Sequence, residues 1–256
     1  MLNYLSAELW RMSRRGADKA GWLVFLLLVA LAGWLWSSDD PAGVLEAFQD
    51  VLPVGLYLAF PLASWANGDA SRTGPLVNEV VFGLPRSRIY LGKLLAAVLA
   101  GLLLFFLTVL AFLGVALPLA ARDGWGTWTG DPVLGLAAWA ALGRAVVCIL
   151  PRYVGAAALA HLLVFSLHTA GLGAVLYYLY LAFGELMLAA VSFHGLGVVG
   201  TVLNILGDAL QPFLLCGPYF SGMPPVDVGQ SWLVGAAWVA ATSVAGIALF
   251  RRRKIR

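Results

Sequence analysis

Charge is what this chain has least of. Asp, Glu, Lys and Arg make up 11% of the 256 residues and hydrophobic residues 61%, whereas a soluble domain carries about 25% charged residues to offer water a polar shell. That shortage excludes an ordinary soluble fold. Cysteine is nearly absent: Cys148 and Cys216 give no disulfide framework, and a bridge between them would need both near an outer face. The chain also lacks an internal repeat, a low-complexity tail and a signal-peptide pattern. It starts with an amphipathic stretch, and no small-residue cleavage site follows the first apolar block.

What fills the chain instead is uncharged apolar blocks such as Leu23–Trp36 and Leu94–Leu107. Blocks of about 20 apolar residues match the roughly 30 Å hydrocarbon core of a bilayer. The expected fold is therefore an all-α polytopic membrane protein forming a single transmembrane domain over 1–256, long enough for about six spans with short loops. Residues 1–15 read as a helix lying on the membrane: Leu2, Leu5, Leu9 and Met12 recur at helical spacing, and Arg11, Arg14 and Arg15 face lipid phosphates. Span 1 is expected over Lys19–Trp36, span 2 over Val51–Ala66, span 3 over Leu94–Leu119 and the last span over Trp232–Phe250.

The run Pro132–Val191 is apolar almost throughout. A turn around Ser166–Gly171 divides it into span 4 (Tyr153–His168) and span 5 (Gly171–Val191). Pro132–Leu150 is then expected as a separate outer-surface or partly inserted helix with a snorkelling Arg144, although span 4 could also start earlier. Segment 193–231 is extracytoplasmic, and within it Leu196–Phe220 is expected to be re-entrant, since Asn204, Asp208, Gln211 and several glycines suit a half-wet backbone.

Basic residues set the sidedness. Residues 1–20, 67–93 and 251–256 hold 13 of the 16 Lys and Arg, while 37–50 and 193–231 hold none. By the positive-inside rule both termini and the 67–93 loop are cytoplasmic, so the number of crossings is even, with six the best count. A bacterial inner membrane is the expected location.

The 67–93 loop is the most informative segment. Thr73 caps a helix and Pro75 suits its first turn. Leu76, Val77, Val80, Val81 and Leu84 form an apolar face, Asn78 and Glu79 lie on another, and Gly83 and Pro85 end the helix. Such a helix either docks into a cytosolic motor or only anchors the loop at the membrane surface.

The run Gly74-x-Leu76-x-Asn78-x-x-x-x-Gly83-x-x-Arg86-x-x-Ile89-Tyr90-x-x-Lys93 resembles the loop of type-2 ATP-binding cassette (ABC) exporter permeases, of the kind that export lantibiotics, other antimicrobial peptides or drugs. Many of those start Gly-Thr-Leu-x-Asn, carry a Gly-x-Ser/Pro-Arg centre and close on Lys. Here Pro75 replaces the usual Thr, and either Arg86 or Arg88 stands for the family arginine. The Gly246, Phe250, Arg251 ending fits as well.

The resemblance implies that 1–15 is an elbow helix. It also implies that Leu76, Val77, Asn78, Glu79, Val80, Val81, Gly83, Leu84, Arg86 and Arg88 couple the chain to a partner ATPase, and that a second permease chain completes the pathway. The chain has no Gly-x-x-x-x-Gly-Lys-Ser/Thr loop, so it is not expected to be an enzyme or to hold a cofactor. ATP and Mg would be bound by the ATPase. Expected partners are that ATPase, the second permease chain and membrane lipids, not nucleic acid.

Other polar groups carry weaker signals. Glu185, inside span 5, is the one pathway candidate, since an ionisable group in a span is costly to keep there. Read as a partnered or protonated carboxyl in the outer half of the span, it has no such role. His161 and His168, seven residues apart, share a helical face but lack a supporting Cys or carboxylate for a metal, and His194 belongs to no nucleophile motif. Gly101, Gly155, Ala156, Ala160, Gly171 and Gly173 permit close helix packing, within the chain or at a dimer seam. A secondary transporter is the main alternative. It would need ion-coupling carboxylates and commonly shows repeats.

Overall fold

The computed structural model describes residues 2–14, 16–36, 44–45, 47–48, 51–67, 79–128, 132–167, 169–190, 197–210, 214–215 and 227–252. Among them there is no strand. The long helices are α1 (Leu2–Ser13), α2 (Gly16–Leu35), α3 (Val54–Asn67), α4 (Arg86–Trp128), α5 (Pro132–Ser166), α6 (Ala170–Ala190), α7 (Gly197–Leu210) and α8 (Val228–Arg252).

Three of them contain a stretch long and apolar enough to cross a membrane: Arg86–Ala120, Trp139–Ser166 and Val228–Arg252. Lys19–Leu35 and Gly171–Gly184 are shorter apolar helices. The surface is apolar to match. Leu23, Leu28, Leu103, Leu110, Val175, Leu179, Leu233 and Val244 all face outward, a contiguous exposure that a water-soluble monomer does not carry and that lipid tails would cover.

Residue contacts fix how the helices run. Gly55 meets the Tyr153 ring and Asn67 meets His161, so α3 and α5 are parallel. Gly235 packs on the Pro151 backbone and Phe250 on Phe165, so α8 shares that direction. Tyr90 lies beside His161 while Gly101 faces Tyr153, which sets α4 antiparallel to α5. Tyr177 donates to the Leu56 carbonyl while Gly173 meets Phe60, so α6 is antiparallel to α3. Trp22 meets Trp65 near the end of α3, where α4 begins, and Gly33 lies against Phe112, so α2 follows α4. Thus α2, α4 and α6 point one way and α3, α5 and α8 the other. Lys19, Arg86, Lys93 and Arg251 consequently gather at one end.

α5 is the central helix: 67% of its apolar window is buried, against 33% for α4 and 28% for α8. Small residues make this possible. Ala156 and Ala160 are fully buried in the main apolar cluster. A Cβ on Gly235 would fall 2.3 Å from the Pro151 carbonyl oxygen, and one on Gly155 would meet Leu215, Trp238 and Gly235. The small residues of α5 therefore pack helices within the chain.

Two expectations change. Pro132–Leu150 is no separate surface helix; it is continuous with span 4 through Pro151, the whole helix running 35 residues. Proline costs only its own N–H bond and a local kink, and helices of membrane character tolerate it where neighbours pack around it, as α8 does here. Span 3 also starts earlier than Leu94: α4 begins at Arg86, with the Pro85 carbonyl accepting from the Arg88 and Ile89 amides. The segment expected to be re-entrant contains helix α7, which packs on α6. Thr73, Gly74, Pro75, His168, His194, Gln211 and Cys216 lie outside the described residues, and so do the side chains of Asn204 and Asp208.

Candidate functional site

The polar groups of the bundle converge where the 79–93 segment meets the chain's two ends. Glu79, Val80 and Val81 are helical and lead into a glycine stop. Gly83 takes φ +81°, its amide donating to the Val80 carbonyl (3.0 Å) and the Leu84 amide to that of Glu79 (3.3 Å). Those paired bonds form a Schellman cap, whose left-handed residue is ordinarily glycine.

Glu79 is the hub. Its Oε1 accepts from Lys93 Nζ (3.2 Å) and Arg11 Nη2 (3.4 Å), and its Oε2 from the Tyr4 hydroxyl (3.0 Å). Lys93 also donates to Glu8 Oε1 at 2.7 Å, and Arg11 pairs with Glu8. Two carboxylates and two cations are thus joined in one network in which Glu8 and Lys93 are almost fully buried. Opposed charges offset one another's desolvation only when held together in this way. Burial first, then Glu8 and Glu79, push the Tyr4 phenol well above its ordinary pKa. Burial works against charge on the Arg11 guanidinium, but Glu8 and Glu79 outweigh it and hold Arg11 above its ordinary value. Gly92 admits the Tyr4 ring: a Cβ there would lie 2.5 Å from it.

Arg86 ties the same segment to the last helix. Its Nη1 donates to the Phe250 (3.1 Å) and Arg251 (2.8 Å) carbonyls, and its guanidinium sits over the Phe250 ring. A cation at a helix C-terminus satisfies orphan carbonyls and complements the dipole. Arg88, by contrast, is exposed. Of the two arginines that could fill the one motif position, one is therefore occupied inside the molecule and the other faces outward.

The apolar residues divide in the same way. Val80 and Leu84 pack against the cluster of Ile89, Tyr90, Leu94, Phe165 and Phe250, whereas Val81 is 74% and Phe82 84% exposed. The described part of the expected apolar face is thus split, Val80 and Leu84 inward and Val81 outward, and the exposed Phe82 beside Val81 was not among the expected residues. Leu76, Val77 and Asn78 lie outside the described residues. Glu185 is on α6, but its side chain is not described.

Two further buried groups escaped the sequence reading. Arg152, on α5, is 1% exposed; it donates to the Leu214 carbonyl (2.8 Å) and Ser231 Oγ (3.3 Å), tying α5 to segment 214–215 and to the start of α8. The signal was available, since Arg152 is an ionisable residue in an apolar run. Asn67 ends α3 with its Nδ2 2.9 Å from His161 Nδ1 and 2.8 Å from the Ala63 carbonyl. Nothing in sequence spacing links Asn67 to His161. Comparison of the chain with protein-family models and with curated proteins finds no match.

Proposed function

We propose that this chain is the membrane-spanning permease subunit of an ATP-driven ABC exporter, working with separate cytosolic ATPase subunits. Segment 79–93 carries the reading. It includes the base of α4 and is bonded at once to α1 and to the end of α8, while Val81, Phe82 and Arg88 project from it. A push on those three would reach the N-terminal helix through Glu79 and the last helix through Arg86. That is the work required of a coupling helix, with α1 as its elbow.

The alternating directions of α2, α3, α4, α5, α6 and α8 support six crossings. The gathering of basic residues at one end supports cytoplasmic termini and a bacterial inner membrane. A second permease chain would complete the pathway, and ATP and Mg belong to the ATPase. The few polar groups along the spans suit an amphipathic cargo such as an antimicrobial peptide, a lipid-like molecule or a drug. Closure of the ATPases on ATP would shift the bundle between two arrangements.

The test is co-expression with candidate cytosolic ATPases and purification of the complex in detergent. Val81→Asp/Phe82→Asp should release the ATPase and leave the elution volume of the chain unchanged. Val80→Asp/Leu84→Asp should instead destabilise the chain itself. An intact chain that retains no ATPase, with both double variants silent in every assay, would reject the coupling role.

Buried Arg152 favours a second reading, an ATP-independent secondary transporter, because buried ionisable groups in spans commonly mark ion pathways. In that case Glu185→Gln or Arg152→Gln would abolish transport driven by an ion gradient with no ATPase present.

A further inference from the structure

Beneath α1 the bundle leaves a groove of about 560 Å³ walled by α1, α2, α3 and α4. This is within the roughly 300–1,000 Å³ of ligand-sized cavities. Leu26, Leu62 and Leu104 are among its apolar walls, and Ser13 and Lys19 line it where α1 gives way to α2. Lys19 begins the apolar helix Lys19–Leu35, so in a bilayer it lies at the headgroup boundary. From there the lining descends to Leu26 on α2, and on α4 it extends from Leu99 to Leu107, each about 10–12 Å of helix.

The groove opens sideways. Leu23 and Leu103 on its walls are 61% and 63% exposed, so an alkyl chain could enter from the bilayer without crossing a polar layer. The Ser13 hydroxyl already donates to the Trp10 carbonyl (2.8 Å), which leaves Lys19 as the donor for a ligand head. An apolar slot descending from a cationic mouth at the boundary matches one kind of amphiphile.

We propose that this groove is a binding site for an anionic phospholipid, with one acyl chain along α2 and α4 and the phosphate at Lys19. The proposal rests on the chain lying in a bilayer and is independent of any ATPase. Because α1 and α4 also share the Glu8–Lys93 pair, the bound lipid would brace the N-terminal helix against the base of α4.

The test uses the intact chain in mild detergent, with native mass spectrometry counting retained phosphatidylglycerol or phosphatidylcholine of identical acyl chains. The intact chain should retain about one phosphatidylglycerol in preference to phosphatidylcholine. Lys19→Glu should lower that retention more than fivefold and remove the preference, since charge reversal exceeds the about fivefold effect of losing one basic residue beside an anionic lipid. Lys19→Gln should give a smaller loss in the same direction. Leu103→Trp, at an exposed wall position, should narrow the groove and lower retention of both lipids.

Equal retention of the two lipids by the intact chain would mean annular lipid only and would overturn the proposal. Unchanged preference in Lys19→Glu would do the same for the phosphate position, and unchanged retention in Leu103→Trp for the acyl-chain position. Displacement of the lipid by millimolar inorganic phosphate alone would assign the site to a free anion and also overturn it.

Discussion

Glu8 and Lys93 meet at 2.7 Å although 85 residues separate them, and both are out of contact with solvent. Removing one leaves the other a single ionic partner, Glu79 for Lys93 (3.2 Å) or Arg11 for Glu8, so the cost should be a fraction of the about 3–5 kcal/mol of a fully stranded buried charge. Glu8→Gln and Lys93→Met should each lower the unfolding midpoint in detergent, and the double variant should recover part of the loss because no uncompensated charge remains. Tyr4 adds a pH dependence. Its folded pKa is raised above the ordinary value of 10, so its contribution is complete below about pH 10 and declines as pH rises further, when the unfolded chain releases the phenolic proton first. Unfolding followed from pH 8 to 11 should show that decline, and Tyr4→Phe should flatten it. Of this network, Lys93 closes the loop motif and Glu79 was expected on the helix face opposite the apolar one, but not as a partner of α1 and Lys93. Glu8 was not legible: in sequence it is one more polar residue on an amphipathic helix, and only tertiary packing brings it to Lys93.

The sequence marked most helices to within a few residues, including the stop at Gly83 and the turn at Ser166–Gly171, because these depend on local backbone chemistry. It divided α5 at about Pro151, because six crossings left room for only two spans in the apolar run and a turn was placed at Ser166–Gly171. Packing keeps the helix continuous instead: Gly235 lets α8 lie against the Pro151 backbone, and Leu214 and Ser231 engage the Arg152 guanidinium. Gly235→Ala would place a methyl against a backbone carbonyl that has no rotamer in which to retreat. A loss of about 1–3 kcal/mol is expected, read as a lowered unfolding midpoint. Gly171→Ala meets nothing within 4 Å and should be neutral or slightly stabilising, since alanine favours helix by about 0.5–1 kcal/mol. Equal effects of the two substitutions would contradict the close α5–α8 contact. The split of the loop's apolar residues was likewise hidden. Helical periodicity groups Val80, Val81 and Leu84, and only the position of the bundle decides that Val80 and Leu84 point in and Val81 points out.

Across the whole molecule, one end collects the N-terminal helix, the base of α4, the end of α8 and the basic residues, all joined through Glu79 and Arg86. Motion imposed on segment 79–93 would therefore be shared by α1, α4 and α8 together. An interfacial anchor would use the same exposed Val81 and Phe82 to touch lipid instead of protein, so the neighbour of Phe82 decides between the two roles. The most direct measurement places a photo-crosslinking amino acid at position 82 in native membranes and identifies what it captures. Coupling predicts a crosslink to a cytosolic ATPase whose yield changes with ATP and is lost when a Val81→Asp change is added. Crosslinks to lipid alone, insensitive to ATP, would contradict the account and leave segment 79–93 as a membrane anchor.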